Sequence, residues 1–126
     1  MDGDASPVIL LVDDDDMIRA LASTLLQTQG FGIIEAENGS HGVERFAENR
    51  EVVDLVLSDL VMPKMSGAEM VRRILTLDPD VRVVFMTGYS GESLPEDYQK
   101  TFTVLQKPFT PDALVRTVRE NLARRS

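Results

Sequence analysis

Five short apolar runs, each followed by a segment with helical periodicity, constrain the fold of this chain more than any other feature. The runs are rich in β-branched residues and have the length of strands, whereas the segments between them repeat apolar residues every three or four positions. Such alternation predicts βαβ units, and therefore a parallel sheet with helices on both faces. The predicted strands are 8–12, 31–36, 54–59, 81–86 and 101–106.

Signals for helix ends locate the segments between the strands. Ser40, Ser66 and Thr110 each precede an amphipathic segment, and their hydroxyls suit N-caps because they can accept a backbone N–H. Residues 90–101 are acidic, are interrupted by Pro95 and have only weak helical character. The pattern therefore predicts a doubly wound α/β domain with five parallel strands and five helices.

Composition narrows the classes of partner and compartment. A net charge of −8 argues against nucleic acid, whose phosphates are bound by clustered lysine and arginine. There is no cysteine and no apolar run of the ~18 residues that a membrane span needs, so we expect a cytoplasmic domain without membrane contact, even if a longer parent chain is membrane-anchored. We interpret residues 1–6 as a disordered lead and residues 7–126 as a single domain.

Polar side chains with reactive chemistry stand where the predicted strands end. The carboxyl ends of parallel strands share one edge of a sheet, and ligands bind there at the point where the strand order reverses. We expect strands one and three to flank that point. The candidate residues are, in chain order, Asp13, Asp14, Asp59, Thr87 and Lys107.

These side chains form a chemically coherent group. Three carboxylates in one crevice repel each other, so they predict a bound cation, and all-oxygen ligation suits Mg²⁺. An aspartate can be the nucleophile in phosphoryl transfer, with a lysine ammonium and a hydroxyl available for the phosphoryl oxygens. Taken singly, each residue is a common cap or surface group; together they predict a Mg²⁺-dependent phosphoryl-transfer site.

Several short motifs resemble the response-regulator receiver domain of two-component signalling, over nearly the whole chain. The segment from Val104 to Pro111 is most similar to receivers at the C-termini of hybrid histidine kinases. The motifs are Val12-Asp13-Asp14, Ser58-Asp59-Leu60-Val61-Met62-Pro63, Gly67, Met86-Thr87-Gly88 and Lys107-Pro108-Phe109.

The resemblance implies a flavodoxin-like sheet in the order 2-1-3-4-5 and a role in a phosphorelay. Asp59 would accept a phosphoryl group from a phosphohistidine on a histidine kinase or a histidine phosphotransfer protein. The domain would catalyse its own phosphorylation and dephosphorylation. Receivers also have a cis peptide bond at the position that matches Lys107-Pro108.

The resemblance also implies a role for each site residue. Thr87 and Lys107 would hold phosphoryl oxygens beside Asp59. The Mg²⁺ ligands would be Asp13, Asp14, Asp59 and the backbone carbonyl of Val61. One departure concerns output: the position three before the lysine, aromatic in many receivers, is Val104, so we expect readout through residues 88–101 instead.

Three other functions are compatible with parts of this pattern. A haloacid-dehalogenase-like hydrolase also uses an aspartyl phosphate, but its nucleophile belongs to an Asp-x-Asp motif after the first strand, and residue 61 here is Val. A flavodoxin-like cofactor binder needs a phosphate loop where this chain has four aspartates, which would repel phosphate. A non-phosphorylated interaction module would not require the complete set of site residues.

Overall fold

A computed structural model of the chain describes residues 6–88 and 94–123. Strands and helices alternate along this part of the chain, as the apolar runs predicted. The strands are β1 (Val8–Val12), β2 (Gly32–Ala36), β3 (Val53–Asp59), β4 (Val83–Thr87) and β5 (Thr103–Gln106). The helices are α1 (Asp16–Thr28), α2 (Gly39–Asn49), α3 (Gly67–Leu77), α4 (Glu96–Thr101) and α5 (Pro111–Ala123).

The five strands form one parallel sheet in the order β2-β1-β3-β4-β5. This confirms the doubly wound class and the order implied by the family resemblance. The chain winds from β1 outward to β2 and then crosses to β3, so the order reverses between β1 and β3. The crevice that the sequence predicted therefore opens at the carboxyl ends of these two strands.

Alternate residues of the central strands feed two separate cores, one on each face of the sheet. On β1, Leu10 and Val12 face a core completed by α2, α3 and α4, whereas Ile9 and Leu11 face a core completed by α1 and α5. Because both faces are covered, the central strands are almost continuously apolar. This burial makes the sheet a rigid base for the side chains at its edge.

The helix caps agree with the sequence signals at two positions and differ at one. Ser66 accepts a hydrogen bond from the third residue of α3, and Thr110 accepts one from the third residue of α5. The prediction that Ser40 caps α2 is wrong. Asn38, which has extended backbone, accepts the amide of His41 at 2.8 Å, and α2 starts two residues earlier than a Ser40 cap would require.

Element boundaries differ from the predictions mainly on the β4 and β5 side. β4 begins at Val83, after a turn at 79–80 and two irregular residues, and β5 begins at Thr103, after the end of α4 and its C-cap Phe102. The weakly helical segment contains the six-residue helix α4; residues 89–93, and most of the predicted lead at 1–6, lie outside the described residues. In the described part of the chain, no helix has the length and apolar character needed to cross a bilayer.

Gly67 begins α3 where the helix packs directly against the end of β3. Its amide donates to the carbonyl of Leu60 at 2.8 Å. A Cβ atom at this position would collide with the backbone oxygen of Asp59 and would crowd the Cα of Leu60. The absence of a side chain is thus what lets α3 approach the site strand.

We predict that Gly67→Ala destabilises the fold, because the added methyl group collides with backbone that cannot rotate away. The clash should outweigh the better helix propensity of alanine and lower the free energy of unfolding by about 2 kcal/mol. Urea unfolding measures the change. Gly88→Ala is the control, since its Cβ would meet nothing within 4 Å and should alter stability by at most about 1 kcal/mol. Equal stability of the two variants would contradict the argument.

Candidate functional site

The strand register brings the predicted site residues to one edge of the sheet. Val12 pairs with Ser58, so Asp13 follows β1 at the level of Asp59, the last residue of β3. On the other side, Asp59 pairs with Met86. The next residue, Thr87, ends β4 and pairs with Gln106, which directly precedes Lys107.

Three carboxylates converge at the crevice. Asp13, Asp14 and Asp59 each offer an oxygen that lies within 4.8 Å of the others. Asp13 is completely buried, Asp59 is largely buried and Asp14 is exposed, so the group opens to solvent on one side. In the described chain, this is the one cluster of carboxylate, histidine or cysteine ligands close enough to share a metal ion.

One oxygen of Asp13 has no hydrogen-bond partner despite its burial. Its Oδ1 accepts the amide of Asp15 at 2.9 Å, but Oδ2 receives no hydrogen bond. A buried carboxylate oxygen without a donor is costly unless a cation compensates it. This orphaned atom and its neighbouring carboxylates therefore fit a small, hard divalent cation such as Mg²⁺, which prefers oxygen ligands.

Lys107 supplies a positive charge beside two of the carboxylates. Its Nζ lies 3.5 Å from Asp59 Oδ2 and 3.6 Å from Asp13 Oδ2, and its side chain is mostly buried. The backbone orients the residue: its amide donates to the Thr87 carbonyl at 2.7 Å, and the Lys107–Pro108 bond is cis, as the resemblance implied. The ammonium is thus close enough to serve Asp59 and a group attached to it.

The remaining predicted residues flank Asp59. Thr87 is fully buried at the end of β4, on the strand next to the candidate nucleophile. The Val61 amide lowers the pKa of the Asp59 carboxyl, and the Val61 side chain is half exposed. The roles of the Thr87 hydroxyl and the Val61 carbonyl stay predictions. Val104, the departure from the usual aromatic, is partly buried against the core, and the expected readout segment 88–101 extends into residues outside the described chain.

Burial and mutual repulsion make the two inner carboxylates reluctant to ionise. Burial raises the pKa of Asp59, and the charge of Asp13 raises it further, against the lowering effects of Lys107 and the Val61 amide. Burial likewise raises the pKa of Asp13. The lysine therefore compensates only part of the cost of holding these groups together as anions.

Arg19, which the sequence patterns did not indicate, stabilises this edge of the sheet by a contact with Asp13. Arg19 on α1 donates to the backbone carbonyl of Asp13 at 2.7 Å and to the carboxylates of Asp16 and Glu35. The spacing of Asp16 and Arg19 on a helix was a signal for their ion pair. The contact with Asp13 had no such signal, because it depends on how α1 packs beside the strand.

Comparison with known protein families gives one match over most of the chain. Residues 9–119 match the family described as the response regulator receiver domain. The chain is 35% identical, over 116 residues, to the response regulator receiver protein CpdR of Brucella abortus, covering 90% of this chain and 95% of that protein. It is 36% identical to the sensor kinase CckA of the same organism over 93% of this chain, but spans only 13% of that kinase.

Solved structures show the same architecture. The receiver domain of the hybrid histidine kinase CckA aligns with a TM-score of 0.79 and 29% identity, over 91% of this chain and 98% of that one. The response regulator TrrA of Thermotoga maritima, solved with Mg²⁺ and BeF, aligns with a TM-score of 0.82 and 31% identity, over 91% and 98% of the two chains.

We predict that Asp59→Asn stabilises the metal-free domain at neutral pH. A carboxyl whose pKa is raised by folding favours the native state below its unfolded pKa and loses that contribution as pH rises through the folded pKa. At pH 7 the charged form is therefore a net cost, which the neutral amide removes. The gain in melting temperature should shrink as pH falls toward the pKa of an ordinary aspartate.

Thermal unfolding in EDTA between pH 4 and pH 7.5 checks this expectation. Glu48→Gln, which removes one exposed carboxylate from α2, is the control for net charge. A stabilisation by Asp59→Asn that equals the control at every pH would show that crowding at the site is not the cause.

Proposed function

Because this chain belongs to the response regulator receiver domain family, we propose that Asp59 is its phosphoacceptor and that Lys107 and Thr87 hold the transferred phosphoryl group. The chain is a receiver domain of two-component signalling. The observation that carries the residue assignment is the arrangement around Asp59. Its carboxylate lies at the end of β3, close to the Lys107 ammonium and to the Asp13 and Asp14 carboxylates.

The proposed reaction is an in-line phosphoryl transfer from a phosphohistidine. An oxygen of Asp59 forms a bond to phosphorus while the bond from phosphorus to the histidine nitrogen breaks, and the electron pair leaves with the imidazole. Such transfers depend on positioning and charge neutralisation more than on covalent help from the enzyme. The close packing of Gly67 against the Asp59 backbone fixes the end of β3 that carries this carboxylate.

Lys107 has two successive tasks in this scheme. In the unphosphorylated domain its ammonium offsets the repulsion between Asp13 and Asp59. Once Asp59 carries a phosphoryl group, the same ammonium pairs with a phosphoryl oxygen, since it already lies 3.5 Å from the acceptor oxygen. The Thr87 hydroxyl, on the neighbouring strand, donates to another oxygen of that group.

Receiver domains bind Mg²⁺ at an acidic pocket, and the residues of this chain fit such an ion. We propose that Asp13, Asp14, Asp59 and the Val61 carbonyl would hold it, with the orphaned Oδ2 of Asp13 as one ligand atom. When bound, the ion supplies positive charge that neutralises the oxygens of the transferred group.

Receiver domains receive phosphoryl groups from histidine kinases or phosphotransfer proteins, and we propose a partner of that class for this chain. The likeness to the CckA receiver supports a phosphorelay that includes a hybrid kinase. The chain is equally similar to CpdR and spans almost all of that protein. An independent receiver, not attached to a kinase, is therefore the alternative proposal. We propose that the domain acts in the cytoplasm, which suits a chain without cysteine. Its negative charge argues against direct contact with nucleic acid.

The rival functions fit this geometry less well. A haloacid-dehalogenase-like hydrolase would place its nucleophile after β1, whereas the partly accessible carboxylate beside the lysine belongs to β3. A pure interaction module has no need for a lysine beside two carboxylates that are held together despite the cost of burial. Repeated turnover of phosphate esters by the isolated domain would favour the hydrolase.

We predict that Asp59 is the only residue phosphorylated when the domain is mixed with Mg²⁺ and acetyl phosphate. Intact mass spectrometry should show one added phosphoryl group, lost on mild hydrolysis as expected for an acyl phosphate. Asp59→Asn should remove this species entirely, while Asp80→Asn, an exposed aspartate at the opposite end of the sheet, should retain it. Undiminished labelling of Asp59→Asn would overturn the assignment.

We also predict that Mg²⁺ stabilises the unphosphorylated domain. An ion that binds only the native state at 100 times its Kd should add about 2.7 kcal/mol to the free energy of unfolding. Urea unfolding with and without Mg²⁺ measures this gain, with Ca²⁺-free buffers throughout. Asp14→Ala should reduce the gain, because it removes one carboxylate from the cluster without disturbing a buried group. Stability independent of Mg²⁺ would contradict the proposed site.

A further inference from the structure

We propose that Arg19 is a positioning residue for Mg²⁺ binding: it pins the backbone of Asp13 so that the acidic loop at residues 13–15 keeps the shape that binds the ion. The inference rests on the proposed function, because it concerns the same metal site. Arg19 itself touches neither the ion nor the phosphoryl group. It acts through the loop that carries two of the three carboxylates.

The guanidinium of Arg19 joins three elements through three separate contacts. Nη1 donates to the Asp13 carbonyl at the end of β1 at 2.7 Å. Nη2 donates to Asp16 on α1 at 2.7 Å, and Nε donates to Glu35 on β2 at 3.0 Å. The planar fork of an arginine can serve three acceptors at once, which a lysine ammonium on a flexible stem does poorly.

Burial makes this contact more than a surface ion pair. The Arg19 side chain is only 15% exposed, although its partner carboxylates on Asp16 and Glu35 are 85% and 44% exposed. The hydrogen bond to Asp13 is therefore partly shielded from water, and it joins a charged donor to a backbone carbonyl. Such a bond is stronger than a neutral one and costly to break when the carbonyl stays buried.

The contact completes the restraint of Asp13. Its amide donates to the Ala36 carbonyl at 3.2 Å, its carbonyl accepts from Arg19, and its Oδ1 accepts the amide of Asp15. Oδ2 is then the only polar atom of the residue without a hydrogen bond, and it faces Lys107. The restraints thus aim one particular oxygen into the crevice.

The loop needs such a restraint because its charges oppose its conformation. Residues 13–16 are four consecutive aspartates, and two of them must stay beside Asp59. Repulsion favours a wider loop, with the carboxylates farther apart. Arg19 holds the loop from the side away from the crevice, so it opposes this spreading without occupying the metal site.

Positioning and simple charge make opposite predictions for removal of Arg19. If the residue mattered only as a nearby positive charge, Arg19→Met would make the crevice more negative and Mg²⁺ would bind more tightly. If it holds the loop in shape, Arg19→Met should bind Mg²⁺ about tenfold more weakly, the lower end of the effect of removing groups that orient metal ligands. The sign of the change separates the two roles.

The experiment is a Mg²⁺ titration of the ¹⁵N-labelled unphosphorylated domain, with the dissociation constant taken from amide chemical shifts. Arg19→Lys keeps the positive charge but loses the planar guanidinium. A positioning role therefore predicts weaker Mg²⁺ binding, whereas a role of charge alone predicts an unchanged dissociation constant. Arg72→Met is the matched control: it removes an exposed arginine that pairs with Glu69 on the same helix, α3, and should leave the Mg²⁺ dissociation constant unchanged. Urea unfolding of each variant in EDTA confirms the fold and records its stability.

A weaker dissociation constant in folded Arg19→Met, with Arg72→Met at the wild-type value, is the expected result. An equal or tighter constant in Arg19→Met overturns the inference. If Arg19→Met does not fold, Arg19→Lys decides, and a wild-type constant there overturns it. Failure of the wild-type domain to bind Mg²⁺ would instead contradict the proposed metal site, so the two failures are distinguishable.

Discussion

The repulsion between carboxylates at the end of β1 and β3 is the constraint on which the local structure of this receiver domain depends. Asp13 is fully buried and Asp59 largely so, and burial raises the pKa of each. Lys107 lies within 3.6 Å of both, but one ammonium cannot satisfy every oxygen. The fold therefore holds together a group of charges that would separate if the chain were free, which is the condition for attracting a divalent cation and a phosphoryl group.

The surrounding elements maintain this arrangement in different ways. The sheet provides rigidity, because apolar cores cover both of its faces and its edge cannot move without disturbing them. Gly67 permits α3 to pack against the Asp59 backbone. Arg19 holds the acidic loop from α1, and the backbone hydrogen bond from Lys107 to Thr87 joins the segment after β5 to the end of β4. The contacts made by Gly67, Arg19 and Lys107 involve backbone atoms of the site. The carboxylates and the ammonium therefore stay available for chemistry.

The likeness to both a kinase-borne receiver and a stand-alone receiver has a physical basis. The whole reactive site is built from the ends of strands within one domain, so the chemistry does not depend on what is attached to the chain. Specificity for a partner must then come from surfaces around the crevice rather than from the reactive group.

The amino-acid sequence by itself determined the fold class, because five buried strands and the helices between them leave their periodicities in the chain. It also indicated the five reactive side chains at the edge, because a carboxylate, hydroxyl or ammonium at the end of a parallel strand lies there, but no pattern indicated that Arg19 contacts Asp13. Tertiary structure decided the rest. The packing of helices beside strands decides three features: the hydrogen bond from Arg19 to Asp13, the close approach of Gly67 to Asp59, and the position of the Asp13 oxygen that accepts no hydrogen bond. Contacts between residues on different elements follow from that packing, and no local pattern of the sequence encodes them. The N-cap of α2 is another example. Asn38 and Ser40 both have side chains that can cap a helix, and the position where the chain leaves β2 makes Asn38 the cap.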